Sequence, residues 1–274
     1  MTHLLVVGSL IFVVAVAMTM VGKGGGNFYV VILAMAGIPM HTAATTGQFI
    51  LFAASLAAMI IFHRSKSLSW KLALIIGTLT SLSAFGGGYF SYLFSGSALK
   101  MIFAVMLIAA GAVMLVPFSG KKAPARVTEG ATLLLHPSAG ILNISSGGEL
   151  YRVNLWLVVP VTLLTGFSSG MVGVSGGSFL VPLMVLAAGV TMHTAVGTAS
   201  TLIAATAFMG FTGHALQGDF DPAWALPLAA ITIIGGILGG KFSLKTRPKH
   251  LKQLFAYTNW LAAAMMIANA LMSG

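Results

Sequence analysis

Lys23 sits in the middle of a long apolar stretch and is surrounded by backbone that can bend, with Gly22, Gly24, Gly25 and Gly26 around it and Asn27 next. A second cluster repeats the arrangement without the cation: Gly173, Ser175, Gly176, Gly177 and Ser178. Glycine lets backbone N–H groups approach a ligand closely. A helix beginning at Asn27 or Ser178 would aim unpaired N–H groups, and about half a unit of positive charge, at that ligand. Asn and Ser are also good N-caps, which agrees with helix starts at these two points. Such ends suit a small anion. Lys23 would then be its counter-ion, or would instead snorkel to an interface. The glycines would either form the site or only let helices pack closely, the role expected of Gly235, Gly236, Gly239 and Gly240.

Further polar residues follow each cluster at matching distances. His41 and Thr42 correspond to His193 and Thr194, and Gln48 and Thr198 belong to the polar faces that come after them. These are expected to line a pore or site. With no carboxylate inside the apolar stretches, any proton would have to be carried by histidine or by the ligand itself.

The elements that hold these residues are membrane helices. The chain has 274 residues, of which 58% are hydrophobic and 7% charged, with a mean hydropathy of +0.99. That charge content is far too low to coat a soluble domain. A hydrocarbon core of about 30 Å needs about 20 helical residues. Suitable runs are Leu4 to Val21, Thr42 to Phe62, Leu72 to Phe94, Leu99 to Val116, Leu155 to Val172, Thr194 to His214, Ala223 to Gly240 and Leu254 to Met272. Phe28 to Ile38 and Phe179 to Val190 are too short to cross alone, and each follows a glycine cluster. Broken backbone at membrane depth is tolerated only where protein buries it or a polar cavity receives it. The breaks therefore mark the site.

The two halves are copies. Met20 to Gly22 recurs at Met171 to Gly173, Gly25 to Phe28 at Gly176 to Phe179, and Met40 to Ala43 at Met192 to Ala195. Leu99, Lys100, Phe103 and Ala104 recur as Leu251, Lys252, Phe255 and Ala256, so the offset stays at 151 or 152 residues. Because the first span belongs to the repeat, it is read as part of the fold and not as a removable signal. Residues 1–118 form the first repeat, 119–153 a linker and 154–274 the second repeat. The linker suits either a small hairpin or a flexible connection.

Charge orients the copies. The gap from His63 to Lys71 carries three cations, while its counterpart from Ala215 to Ala223 carries Asp219 and Asp221. The uncharged gap from Ser95 to Ala98 likewise corresponds to the basic stretch Arg247 to His250. The positive-inside rule then puts equivalent loops on opposite sides. The expected fold is an all-α polytopic membrane protein of two inverted-topology repeats, each with about five segments including one short or broken helix. Both termini would be outside and the linker inside.

The net charge of +10 marks loops and does not call for nucleic acid, since the cations do not alternate with stacking aromatics. With no cysteine there is no disulfide framework, thiolate metal site or cysteine nucleophile, and no cofactor or metal is expected. The expected partners are the lipid bilayer and a small anionic substrate, with homo-oligomerisation left open. The expected place is a cell membrane of the bacterial inner type.

The run Gly173 to Leu183, followed by Met192 to Ala199, and its weaker copy from Gly22 to Thr46 resemble the sulfite exporter TauE/SafE family. The likeness covers nearly all of the chain outside the linker. It implies a membrane transporter of small sulfur anions such as sulfite or sulfonates, here expected to work by alternating access around the breaks. The first copy departs from the pattern at Lys23 and at Val31, which stands where the second copy has Pro182.

Two other readings compete. Gly173 to Gly176 fits the Gly-x-Ser-Gly of a membrane-embedded serine hydrolase, with His193 or His214 as partner, although Ser175 is not duplicated: its counterpart is Gly24. A membrane assembly protein without a substrate would leave the paired breaks without a purpose.

Overall fold

A computed structural model describes residues 2–93, 96–115, 125–126, 135–136, 140–146, 149–174, 176–218 and 220–272. Ser175, Asp219 and much of the linker lie outside them. The first half contains α1 (Thr2–Met20), α2 (Gly26–Met35), α3 (Met40–Arg64), α4 (Trp70–Tyr89) and α5 (Gly96–Leu115). The second contains α6 (Leu155–Val172), α7 (Gly177–Pro182), α8 (Met192–Ala215), α9 (Pro222–Lys245) and α10 (Pro248–Met272). Among the described residues, α3, α4, α6, α8 and α9 each have the length and apolar character to cross a membrane. The outer surface agrees: Leu5, Leu74, Leu82, Leu164 and Leu226 are all more than half exposed. The chain is an all-α polytopic membrane protein.

Packing repeats as the sequence does. Helix α1 lies on α9 as α6 lies on α4, and α3 lies on α9 as α8 lies on α4, while α3 pairs with α8 and α5 with α10. Each half is therefore packed largely against the other. Small residues make this possible. A Cβ on Gly235 would stand 2.5 Å from the Ala15 methyl, one on Gly239 2.8 Å from Thr19 Cβ, and one on Gly240 3.3 Å from Ile61 Cβ. The close-packing role expected of the α9 glycines is what the structure shows. We expect Gly236→Ala, whose new methyl would enter the Ala54 carbonyl group, to cost about 1–3 kcal/mol. Thermal unfolding of the purified protein should show it as a lowered Tm.

These contacts also give helix direction. Along α3, Gln48 meets Gly210 and Phe62 meets Gly197, so α3 and α8 are antiparallel although they are repeat equivalents. Moving up α9, Gly235 and Gly239 meet Ala15 and Thr19 while Gly236 and Gly240 meet Ala54 and Ile61, so α1, α3 and α9 run the same way. Gly166 and Gly170 meet Thr80 and Ala84 in the same order, and Gly77 and Gly88 meet Leu202 and Gly210. Helices α4, α6 and α8 therefore run together, opposite to the first set. The repeats are inverted. Because α1 and α3 point the same way with α2 between them, α2 returns towards the end where α1 began.

Cations collect at one end of the bundle. His193 Nε2 lies 3.0 Å from the Thr246 carbonyl at the end of α9, and Gly197 packs against Phe62 and Ser67 after α3. Arg64, Lys66 and Lys71 thus share an end with Lys241, Lys245 and Arg247, whereas Asp221 caps α9 at the other end through Ala223 N, 2.9 Å away.

Within the linker the described residues form an antiparallel sheet in the order β1-β4-β3-β2, from β1 (Ala125–Arg126), β2 (Leu135–His136), β3 (Ile141–Ser146) and β4 (Glu149–Asn154). Its centre is a hairpin with Ile144 opposite Tyr151, one of the two forms the sequence allowed. Asn154 closes β4 and caps α6, accepting from Trp156 N at 3.0 Å.

Candidate functional site

The two breaks share a geometry. Gly22 and Gly173 both have φ of 77°, the left-handed conformation that glycine adopts without a Cβ penalty. Lys23 N donates to Met18 O at 2.9 Å, and Val174 N donates to Ser169 O at 2.9 Å. Each helix thus ends in a Schellman cap. The following helices also begin alike: Phe28 and Tyr29 N donate to Gly25 O, and Phe179 and Leu180 N donate to Gly176 O.

The caps of α2 and α7 are therefore Gly25 and Gly176, with no side-chain cap bond. This corrects the expectation that the helices start at Asn27 and Ser178 with these residues capping. Both lie one turn position further in, where they serve another purpose. Asn27 Nδ2 donates to Ser178 Oγ at 3.2 Å, and both residues are buried. These are repeat equivalents, 151 residues apart. Their contact lies where the pseudo-twofold relation brings the starts of α2 and α7 together. Beside it, a Cβ on Gly177 would stand 3.0 Å from Lys23 Cα and 2.6 Å from Ile203 Cδ1.

Beyond their starts the short helices diverge. Pro182 cannot donate within α7, and the chain opens there into a π turn over Leu183–Ala187. Val31 at the equivalent place lets α2 continue regularly to Met35.

Lys23 does not snorkel. It is 2% exposed, with Nζ donating at 2.6 Å to the Phe255 carbonyl and at 2.6 Å to Thr258 Oγ1, and 4.2 Å from the centre of the Phe255 ring. A neutral carbonyl, a hydroxyl and a ring face offset part of the cost of burying an ammonium group. No described acid lies with them: Asp221 is at the bundle end and Glu149 in the linker sheet.

The other candidate residues divide into a central and a peripheral group. Gly24, Gly25, Gly26, Gly176 and Gly177 are central and buried. Gln48 joins them, its Nε2 donating to Ser169 O at 2.9 Å and its Oε1 buried with no partner among the described residues. His41, Thr42, His193 and Thr194 begin α3 and α8, at the far ends of the short helices. For α2, of 10 residues, that is about 15 Å from the break. His41 is exposed, His193 binds the end of α9, and Thr194 accepts from Thr191 Oγ1 at 2.9 Å. Thr198 accepts from Ser69 N at 3.0 Å, tying α8 to the turn before α4. The duplicated His-Thr pairs thus start long helices one turn before Ala44 and Val196, which pack on Gly173 and Gly22 of the opposite breaks. Thr42 faces a cleft of about 460 Å³, lined also by Ala36, Pro39, Phe220, Asp221 and Trp224.

Three residues at the first break were passed over in the sequence. Ser55 Oγ lies 2.8 Å from where a Gly24 Cβ would stand, and the Tyr29 hydroxyl 2.7 Å from that of Gly25. Asn259 shares the turn of α10 that holds Phe255 and Thr258. All are buried, and Ser55 Oγ, Tyr29 OH and both Asn259 amide atoms have no hydrogen-bond partner among the described residues. The signal that singled out Lys23 would have found them: each is polar where the other copy is apolar.

The profile of the family described as Sulfite exporter TauE/SafE matches residues 7–266, which takes in both breaks and all or most of every helix. The chain belongs to the TauE/SafE family. Among its relatives, the "Probable membrane transporter protein YdhB" of Bacillus subtilis is 23% identical over 257 residues, covering 93% of this chain and 97% of the relative. "Probable membrane transporter protein YunE" of the same organism is also 23% identical, over 93% of this chain and 94% of its own. "Probable membrane transporter protein MJ0441" of Methanocaldococcus jannaschii is 25% identical, over 91% and 88%. As a TauE/SafE protein the chain is a multi-pass membrane transporter. The family is not one of enzymes, and the hydrolase reading of Ser175 finds no support in it.

Proposed function

We propose that this transporter carries a small sulfur-containing oxyanion, sulfite or a short sulfonate, by alternating access around the two glycine breaks. The observation that carries the reading is the Asn27–Ser178 contact, which joins the starts of α2 and α7 across the inverted repeat. Helix starts offer free N–H groups and partial positive charge, so an anion is the ligand they favour. An inverted pair of re-entrant elements meeting at mid-depth is also what a two-sided access mechanism needs. The two breaks can be exposed in turn while the helices around them stay packed. We further infer that the basic end faces the cytoplasm of a bacterial-type cell membrane, by the distribution of Lys and Arg.

Purified protein in liposomes tests the substrate class. Flux of sulfite or sulfoacetate is expected to exceed that of protein-free liposomes at least about tenfold, the difference that 1.4 kcal/mol of preferential stabilisation makes. Thiosulfate and sulfate serve as competing anions. Neither flux nor binding for any of the four would overturn the anion reading.

A further inference from the structure

We propose that the anion is held off the pseudo-twofold axis, against α10, in a polar pocket built around the first break only, with Lys23, Tyr29, Ser55 and Asn259 as its contacts. The inference rests on the anion-transport reading and narrows it to one compact oxyanion per protein.

The asymmetry is systematic. In the second copy Lys23 is replaced by Val174, Tyr29 by Leu180, Ser55 by Ala207, Thr258 by Met106 and Asn259 by Leu107. Five polar positions around one break correspond to five apolar positions around the other, although the backbone caps of the two breaks match. The second break has polar groups where the first has Val14 and Met18, namely Thr165 and Ser169 beside Gly176, but the Ser169 hydroxyl there is already bonded to the Gly166 carbonyl at 3.0 Å. A purely structural requirement of the break would apply to both copies.

The pocket also lacks what such groups need. Buried polar atoms are paired in the great majority of native structures. Here Tyr29 OH, Ser55 Oγ and the Asn259 amide are enclosed with no partner among the described residues, around a break whose cation has only neutral acceptors among them. Lys23 Nζ spans the α10 turn from the Phe255 carbonyl to Thr258, and Asn259 follows on the same helical face. An oxyanion would supply the missing negative charge and accept from the ammonium, the amide, the phenol and the serine. Space is short: a methyl group on Gly24 would lie 2.5 Å from Leu51 Cδ1. That favours sulfite over an anion with an organic tail.

Calorimetric titration of the purified, full-length protein with sodium sulfite, and separately with sulfoacetate and sulfate, tests this. If the wild type binds none of them, the anion reading itself fails. Given wild-type sulfite binding, Asn259→Leu and Tyr29→Phe should each weaken Kd by about 10- to 100-fold, the loss of one hydrogen bond to a charged group. Neither should lower Tm, because each removes a group that has no partner among the described residues. Tyr29→Phe, which deletes a single oxygen, decides the matter if Asn259→Leu does not fold. Wild-type Kd in the folded variants would overturn the off-axis site and leave the transport reading standing. So would a Tm loss in Asn259→Leu with unchanged binding in Tyr29→Phe. Tighter binding of sulfoacetate than of sulfite would overturn the compact-oxyanion assignment.

Discussion

Gly177→Ala is expected to lower anion flux in proteoliposomes by at least about tenfold while leaving the protein inserted and folded. The added methyl would meet Ile203 Cδ1 at 2.6 Å, Lys23 Cα at 3.0 Å and, closest of all, the Gly22 carbonyl oxygen. A flexible side chain such as Ile203 can yield, but the other two atoms are backbone. Gly22 is fixed by its left-handed φ of 77° and by the bond from Lys23 N back to Met18 O. Overpacking of this kind costs about 1–3 kcal/mol. The strain falls where the two re-entrant elements press together, so it should alter the balance between their arrangements more than the stability of the bundle. Gly86→Ala is the comparison, since no atom lies within 4 Å of its new methyl and the position is helical. Alanine there should keep wild-type flux and slightly stabilise α4. Equal flux from Gly177→Ala and wild type would show that contact between the breaks does not limit transport.

The helices and their inverted order were legible because they rest on long-range regularities of composition. Leu155 to Val172 was read to the residue, and opposite charge at equivalent loops implied the antiparallel α3 and α8 before any contact was known. Local geometry was harder. Asn27 and Ser178 have the chemistry of N-caps, yet glycine took the cap because the chain must turn sharply out of a Schellman ending. The polar side chains were left free to meet across the axis instead. The histidines start two equivalent helices, about 15 Å from the break of their own copy but one turn before Ala44 and Val196, which pack on Gly173 and Gly22 of the opposite copy. A carbonyl at the end of α9 is what His193 serves. Asn259 draws no notice on its own helix, since its place beside Lys23 depends on how α10 packs against the first break, 236 positions earlier in the chain. Only superposing the copies residue by residue brings it forward.

The same superposition makes sidedness testable at two equivalent residues, Ser65 after α3 and Gln217 after α8, both exposed and 152 positions apart. The natural chain has no cysteine, so a single introduced thiol is the only target for a maleimide. In intact cells, Gln217→Cys should be labelled by a membrane-impermeant maleimide, and Ser65→Cys only after permeabilisation. Ser65 sits among Arg64, Lys66 and the cations after α9, and Lys and Arg are retained on the cytoplasmic side. Gln217 sits at the end that carries Asp221. Because α3 and α8 are antiparallel, a helical bundle that spans the membrane cannot expose both residues on one face. Labelling of both from outside would contradict the spanning arrangement itself, and a clean reversal would keep the inverted repeat but turn the protein over. In that case the pocket at Lys23 would keep its contacts while import and export exchanged meanings, so the orientation test has to come before any direction is assigned to the flux.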